Sequence, residues 1–85
     1  MKQPNILLYG SKSCPDTTRA RNYLDLHAIP FEFKDVDATP EFNAYIADLN
    51  GGKRVMPTLR IDNQTLINPS DDDLGRIVAE AADAR

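Results

Sequence analysis

Residues 6–21 have the sequence ILLYGSKSCPDTTRAR. The apolar run that ends at Gly10 predicts a short buried strand, and the polar segment after it predicts a loop. Pro15 suits the first position of a helix, because that residue has no intrahelical use for its N–H group. Cys14 therefore falls at a helix N-terminus, where free N–H groups and the helix dipole favour a thiolate. A lone cysteine is often an inert part of a core, but polar neighbours and this junction favour a reactive thiol.

The rest of the chain continues the alternation of strands and helices. Thr39 and Ser70 are predicted N-caps, each placed just before a helical pattern, and glycines 51 and 52 end the middle helix. A tight turn at 62–64 joins the last two strands into a hairpin. The order β-α-β-α-β-β-α follows, with a parallel βαβ unit and then an antiparallel hairpin. The predicted strands are 5–10, 31–36, 58–62 and 65–67, and the predicted helices are 15–28, 40–49 and 71–82.

Composition limits the function classes. The 85 residues are enough for one domain, which we expect to span 1–85. The net charge of −3 argues against nucleic acid as a main partner. No apolar run approaches the roughly 20 residues of a membrane span, and the N-terminus leads into a strand without a signal-peptide pattern. One cysteine cannot form an internal disulfide, so we expect a protein of the reducing cytoplasm.

Three segments resemble the active-site segments of glutaredoxins, a branch of the thioredoxin superfamily. They are Cys14-Pro15-Asp16-Thr17, Val55-Met56-Pro57-Thr58 and Ser70-Asp71. The resemblance covers nearly the whole chain and implies a thioredoxin-like α/β fold, with a four-stranded mixed sheet flanked by three helices. Residues 51–54 and 68–70 are especially similar to a bacterial, mycoredoxin-like subgroup.

The resemblance also implies roles for individual residues. Cys14 would be the catalytic nucleophile, facing a cis peptide bond at Pro57. A low-molecular-weight thiol would lie across the three segments and pair with the backbone of Met56 as an added strand would. Free N–H groups near Ser70 and Asp71 would bind its α-carboxylate, and Asp71 would accept a hydrogen bond from its ammonium group. A second carboxylate of the thiol would pair with a basic residue, for which Lys12 and Arg54 are candidates.

Departures from the family pattern affect the chemistry. Thr17 stands where dithiol members have a resolving cysteine, so dithiol reduction is excluded. The Thr17 side chain is either an ordinary helix residue or a hydroxyl donor to the thiolate. Asp16 replaces an aromatic residue, and its carboxylate opposes the helix N-terminus in its effect on the thiol pKa. Pro69 replaces a glycine, which changes the backbone that a ligand approaches.

Two functional classes follow, with a third alternative. The first is a monothiol oxidoreductase that acts on mixed disulfides between proteins and a small thiol such as glutathione, mycothiol or bacillithiol. We expect a monomer whose partners are thiolated proteins and that small thiol. The second is a dimeric [2Fe–2S] scaffold with two protein cysteines and two external thiols, ranked lower because the Cys-Gly-Phe-Ser turn is missing. The third is a glutaredoxin-like domain without redox activity. No metal-ligand cluster is predicted within the chain.

Overall fold

The computed structural model describes residues 3–84. Its elements follow the predicted order, and the predicted mixed sheet of four strands with three helices is confirmed. Within residues 3–84, no helix has the length and apolar character needed to cross a membrane. The strands are β1 (Ile6–Gly10), β2 (Glu32–Asp35), β3 (Thr58–Ile61) and β4 (Gln64–Ile67), and the helices are α1 (Pro15–Leu26), α2 (Glu41–Leu49) and α3 (Asp71–Asp83).

The sheet has the strand order β2-β1-β3-β4, with β1 in the interior. β1 runs parallel to β2, which it reaches through the α1 crossover, and antiparallel to β3. Tyr9, near the end of β1, pairs with Thr58 at the beginning of β3. The loop that leads from β1 into α1 therefore lies beside the segment that leads into β3. This arrangement brings Cys14 and Pro57 to the same edge of the sheet.

Alternating side chains of β1 pack into two layers. Ile6 and Leu8 lie in one core cluster with residues of β3, α1 and α3. Leu7 and Tyr9 point to the opposite face, where they pack with Ile46 of α2. Each buried Leu or Ile side chain contributes about 1.5–3 kcal/mol through removal of apolar surface from water. The layers hold the N-terminus of α1 against the sheet, which fixes the position of Cys14.

Three helix boundaries differ from the sequence prediction, and two of the differences are single residues, at the beginning of α2 and at the end of α3, which reaches Asp83. α1 ends at Leu26, two residues earlier than predicted, because Ala28 adopts a positive φ of 55°. The N–H group of Ile29 then donates to the carbonyl of Leu24 at 2.8 Å and closes the helix end. Leu26, the last residue of α1, is apolar but 81% exposed. α2 begins at Glu41 without a side-chain cap from Thr39.

Candidate active site

Cys14 is the N-cap residue of α1 and is partly exposed. Its backbone is extended, with φ −88° and ψ 118°, and its carbonyl accepts the first helical hydrogen bond from the N–H of Thr18 at 3.1 Å. Pro15 occupies the first helical position, as predicted. The N–H groups of the first turn have no carbonyl partner inside the helix, so they are available to an anion at the position of the sulfur.

The loop before Cys14 is held by the buried side chain of Ser11. The Ser11 hydroxyl donates to Oδ2 of Asp37 at 2.5 Å, and its oxygen accepts from the N–H of Ser13 at 3.2 Å. The Ser11 carbonyl accepts from the N–H of Cys14 at 3.1 Å, which closes the turn. Hydrogen bonds to charged groups are the stronger ones in proteins, so Asp37 anchors this loop to the segment after β2.

The segment that faces the sulfur is centred on Pro57, which is buried and preceded by a cis peptide bond at Met56–Pro57. The Thr58 hydroxyl donates to the carbonyl of Val55 at 2.7 Å, and the Pro57 carbonyl accepts from the N–H of Asn68 at 2.8 Å. The Cys14 thiol points at the Met56 carbonyl, with an Sγ–O distance of 3.9 Å. The thiol, the cis proline and the chain before α3 are thus joined by hydrogen bonds.

Thr17 is fully buried one turn into α1, and it packs against the end of β1. A Cβ atom added at Gly10 would collide with its Oγ1 and would lie 2.6 Å from its Cγ2, so Gly10 permits this close approach. The Thr17 hydroxyl makes no hydrogen bond of acceptable geometry with any described residue. A buried hydroxyl that bonds to no other acceptor is free to turn its proton toward a thiolate.

The pKa of Cys14 is lowered from its ordinary value of 9.0. The largest cause is a hydrogen bond from the Thr17 side chain to the thiolate, and the backbone N–H groups of Thr17 and Asp16 act in the same direction. Burial of the sulfur opposes them, and the negative charge of Asp16 is the smallest contribution that raises the pKa. The competition between the helix N-terminus and Asp16 is therefore decided in favour of the thiolate.

An open cleft of about 410 Å³ lies on the α3 side of the thiol. Arg19 crosses it: its Nη1 donates to Oδ1 of Asp71 at 2.6 Å, and its Nη2 donates to the carbonyl of Pro69 at 3.0 Å and to Oδ1 of Asn68 at 3.2 Å. One guanidinium therefore connects α1 to the chain that precedes α3. The cleft is lined by Asp16, Arg19, Asn68, Ser70, Asp71 and Asp72.

Asp16 takes part in this charged cleft as well as in the surroundings of the sulfur. Its Oδ2 accepts from Nδ2 of Asn68 at 3.3 Å, and its Oδ1 lies 4.0 Å from Nε of Arg19. The nearby cation partly compensates the carboxylate, which is consistent with its small effect on the thiol pKa. Asp16 thus belongs to the same network as Asp71, although the two residues lie on different helices.

The structure brings together most of the residues predicted for the site, but not the two basic candidates. Met56 and Pro57 face Cys14, while Ser70 and Asp71 line the cleft. Ser70 caps α3, as predicted, by accepting from the N–H of Asp73 at 3.1 Å. The two groups of residues are linked through Asp16, which lines the cleft and lies two residues after Cys14 in the chain.

Lys12 and Arg54 lie outside the cleft lining. Lys12 is exposed and has no hydrogen bond or ion pair with any residue in the described range 3–84. Arg54 is directed toward α2, where its Nη1 donates to Oδ1 of Asn43 at 2.7 Å. This bond holds the Arg54 guanidinium beside α2 rather than in the cleft.

Sequence analysis assigned no role in the cleft to Arg19 or Asn68, and it missed the Ser11–Asp37 pair. The spacing of Asp16 and Arg19 by three residues in a helix was a usable signal, since such side chains are neighbours. Asn68 has a positive φ of 43°, which its residue type tolerates better than most. No local pattern connects Ser11 to Asp37, because the two residues are 26 positions apart.

The described residues do not fit an iron–sulfur cluster within one chain. Such a cluster is held by four thiolate ligands, and the sequence has a single cysteine. Among residues 3–84 there is also no group of three or more His, Cys, Asp or Glu side chains placed to hold a metal ion. The Cys14 thiol is therefore the reacting group on which a proposal for this site has to rest.

Comparison with known proteins agrees with this geometry. A curated protein of Mycobacterium tuberculosis, whose name assigns it provisionally to the glutaredoxins, is 27% identical over 70 residues, which cover 81% of this chain and 83% of that protein. The crystal structure of a glutaredoxin from Archaeoglobus fulgidus superposes with a TM-score of 0.78 at 16% identity, covering 88% of this chain and 86% of the other. A glutaredoxin from Brucella melitensis gives a TM-score of 0.68 at 25% identity, covering 94% and 84%. The glutaredoxin family model matches residues 6–66, which is most of the sequence, and the chain therefore belongs to the glutaredoxin family.

Proposed function

We propose that this protein is a monothiol thiol–disulfide oxidoreductase that removes a low-molecular-weight thiol from protein mixed disulfides through Cys14. Membership of the glutaredoxin family supports thiol–disulfide oxidoreductase chemistry. The observation that carries the finer proposal is the placement of the only cysteine: it is partly exposed at a helix N-terminus, its pKa is lowered, and Thr17 occupies the position one turn further on. This thiol can attack a disulfide but cannot resolve its own adduct internally.

In the first step, the Cys14 thiolate attacks the small-thiol sulfur of a protein mixed disulfide. A bond forms between Cys14 and the small thiol, and the bond to the protein sulfur breaks. The protein leaves as a thiolate that takes a proton from water. Because the thiolate is both the nucleophile and the species favoured here, the lowered pKa of Cys14 increases the reactive fraction near neutral pH.

In the second step, the thiolate of another small-thiol molecule attacks the small-thiol sulfur of the Cys14 adduct. A symmetrical small-molecule disulfide is released, and Cys14 leaves as a thiolate. The net reaction consumes one molecule of free small thiol and converts the protein mixed disulfide into a protein thiol and the small-molecule disulfide. The low pKa assists this step too, because a more stable thiolate is a better leaving group.

The surface beside the sulfur offers the groups that an extended thiol would use. Ionisation of Cys14 removes the proton that the thiol directs at the Met56 carbonyl, which frees this oxygen to accept from a ligand amide. At the other end, the first N–H groups of α3, near Ser70 and Asp71, face the cleft region and suit a carboxylate or hydroxyl group. We assign to exposed Lys12 a role in binding a second carboxylate, and we give Arg54 a lesser one because it is held by Asn43.

The experiment is a turnover assay on a reporter protein whose single thiol carries glutathione, mycothiol or bacillithiol, with the same thiol as reductant. We expect turnover with at least one of the three, and a single adduct on Cys14 by intact mass spectrometry after treatment with the corresponding disulfide. Failure to form an adduct with all three thiols would contradict the proposal and favour a redox-inactive binding domain. Visible absorbance of the freshly purified protein, measured in parallel, tests the cluster scaffold as the competing function.

A further inference from the structure

We propose that Arg19 determines the selectivity of the thiol site by occupying the carboxylate of Asp71, so that the site does not recognise an ammonium group on the small thiol. This inference rests on the proposed function, because it concerns the ligand of the same cleft. It differs from the role that the family resemblance implies for Asp71, which is to accept from the ligand's ammonium group.

The guanidinium of Arg19 is held on both of its terminal nitrogen atoms. Its guanidinium makes three hydrogen bonds across the cleft, of which the bond to Asp71 is the shortest at 2.6 Å. Two of the acceptors, the Pro69 carbonyl and Oδ1 of Asn68, lie in the chain segment just before α3. A planar fork held at both ends loses less conformational freedom in each bond than a lysine would. The contact with Asp71 is therefore part of a fixed arrangement.

The positive charge of Arg19 also disfavours a ligand ammonium group beside Asp71. An ammonium group that approached Asp71 would find Oδ1 already bonded and a guanidinium beside it, and like charges at this range repel. The side chains of Arg19 and Asp71 are 34% and 47% exposed, so solvent screens the repulsion without removing it. A thiol that lacks the ammonium group meets no such opposition, and it can still use the first N–H groups of α3 that precede that of Asp73, which is bonded to Ser70.

The other carboxylates of the cleft differ in their partners. Asp16 accepts from Asn68 and lies 4.0 Å from Nε of Arg19, so the same guanidinium compensates it. Asp72 lines the cleft and is exposed, which leaves it as the alternative acceptor for an ammonium group. The experiment therefore has to separate Asp71 from Asp72.

The test compares glutathione disulfide with the disulfide of N-acetylglutathione, which lacks the ammonium group. The readout is the second-order rate of adduct formation on Cys14, followed by intact mass spectrometry, because this single step does not require turnover. The wild-type protein should react with the two disulfides at rates within about twofold of one another, since weak, partly exposed charge pairs have small effects. Arg19→Gln should favour glutathione disulfide by roughly fivefold, because Asp71 is released.

Three variants complete the test. Asp71→Asn in the wild-type background should leave the rate ratio unchanged, and in the Arg19→Gln background it should abolish the new preference. Arg76→Gln removes one positive charge from the exposed surface of α3, away from the cleft, and serves as the matched control. Thermal unfolding shows whether each variant is folded. If Arg19→Gln does not fold, Asp71→Asn in the wild-type background still tests the inference, because its rate ratio should equal that of the wild-type protein.

The inference is overturned if the wild-type protein already prefers glutathione disulfide by fivefold or more and Asp71→Asn or Asp72→Asn removes that preference. It is also overturned if folded Arg19→Gln keeps the wild-type ratio. These outcomes are distinct from failure of the proposed function. The proposed function also fails when Cys14 forms adducts but no reporter protein is turned over, and the rate ratio can still be measured in that case. Absence of any adduct contradicts both proposals, because the inference requires a small thiol to react at this site.

Discussion

The two ends of the candidate site are built from different kinds of interaction. At the sulfur end, the groups that bond to Cys14 are uncharged: a buried hydroxyl, backbone N–H groups and the Met56 carbonyl. The charge of Asp16 has only a small opposing effect there. At the α3 end, the contacts are charged and join residues about 50 positions apart in sequence, as in the pair of Arg19 and Asp71. Short-range dipoles therefore set the reactivity of the thiol, while ion pairs shape the part of the surface that would contact the ligand.

This difference has a physical consequence for how each end responds to its surroundings. The hydroxyl of Thr17 is removed from solvent, so its effect on the thiolate is little screened by salt. The ion pairs of the other end are partly exposed, and salt and competing ligands weaken them. Chemistry at the sulfur should thus be robust to ionic strength, whereas ligand selectivity should depend on it. Four substitutions test this contrast, and their expected effects range from complete loss of turnover to a small shift of the Cys14 pKa.

The largest effect is expected from Cys14→Ser, which removes the nucleophile while keeping a polar side chain at the N-cap of α1. Turnover of the protein mixed disulfide should fall to the uncatalysed background, and no adduct should appear by mass spectrometry. Thr18→Ala, which changes an exposed side chain on the next turn, is the control and should remain active. Residual turnover in the serine variant would mean that Cys14 is not the reacting group.

Gly10→Ala tests the close packing that supports the sulfur end. The added methyl group would meet Oγ1 and Cγ2 of Thr17, so the free energy of unfolding should fall by about 1–3 kcal/mol. The Cys14 pKa should rise, because the Thr17 hydroxyl would be displaced from the thiolate. Denaturant unfolding and the pH dependence of alkylation measure the two effects.

The double variant Gly10→Ala, Thr17→Ala is the control for this explanation. It removes the two side-chain atoms of Thr17 that lie closest to the new methyl group. Its loss of stability relative to Thr17→Ala alone should therefore be much smaller than the loss caused by Gly10→Ala in the wild-type background. Equal losses in the two backgrounds would show that the clash with Thr17 is not the cause.

Thr17→Val keeps the shape of the side chain and removes the hydroxyl. Because this hydroxyl is the largest cause of the lowered Cys14 pKa, the pKa should rise toward 9.0, and alkylation near neutral pH should slow. The rate constant of fully ionised Cys14 at high pH is the internal control. A Cys14 pKa equal to that of the wild-type protein would show that the Thr17 hydroxyl does not stabilise the thiolate.

The same substitution should have a pH-dependent effect on stability. A buried hydroxyl without a partner costs desolvation energy, so Thr17→Val should raise the free energy of unfolding by about 1 kcal/mol at mildly acidic pH. A folded pKa below the unfolded value contributes stability that is fully present above the unfolded pKa of about 9.0 and is lost as pH falls through the folded pKa. Thr17→Val removes much of that contribution. The excess free energy of unfolding of the variant over the wild-type protein should therefore shrink as pH rises.

The smallest effect is expected from Asp16→Asn. Its negative charge raises the Cys14 pKa, but it is the weakest of the causes and is partly compensated by Arg19. The pKa should therefore fall by less than Thr17→Val raises it, and alkylation near neutral pH should become slightly faster. The gain should diminish in high salt, because it is electrostatic. An unchanged or raised pKa would assign Asp16 to the cleft alone, through its contacts with Asn68 and Arg19.

The sequence was sufficient for the order of elements and for the sulfur end of the site. Pro15 after Cys14 predicted the helix start, and Ser70 before three aspartates predicted the cap of α3, because both depend on local backbone chemistry. The juxtaposition of Cys14 with Pro57 required the family resemblance in addition. Once β1 and β3 are paired, however, the geometry of the sheet places the two segments side by side.

The charged end of the cleft could not be predicted in the same way. Arg19 and Asp71 are 52 positions apart, and nothing in the local pattern of either helix selects one partner from the other charged residues of the chain. The same holds for Ser11 and Asp37, whose contact arises because β2 ends beside the loop after β1. Leu26 is exposed although it is apolar, because it lies about 200° around α1 from the buried Leu24.

The fold itself lowers the pKa of Cys14 and so favours its thiolate. The most direct measurement is the pH dependence of Cys14 alkylation in the native protein and in the same protein unfolded in urea. We expect a native pKa clearly below that of the unfolded chain, which should titrate as an ordinary cysteine thiol. A native pKa equal to or above the unfolded value would contradict this expectation, since the helix N-terminus and Thr17 would then not outweigh burial of the sulfur and the charge of Asp16.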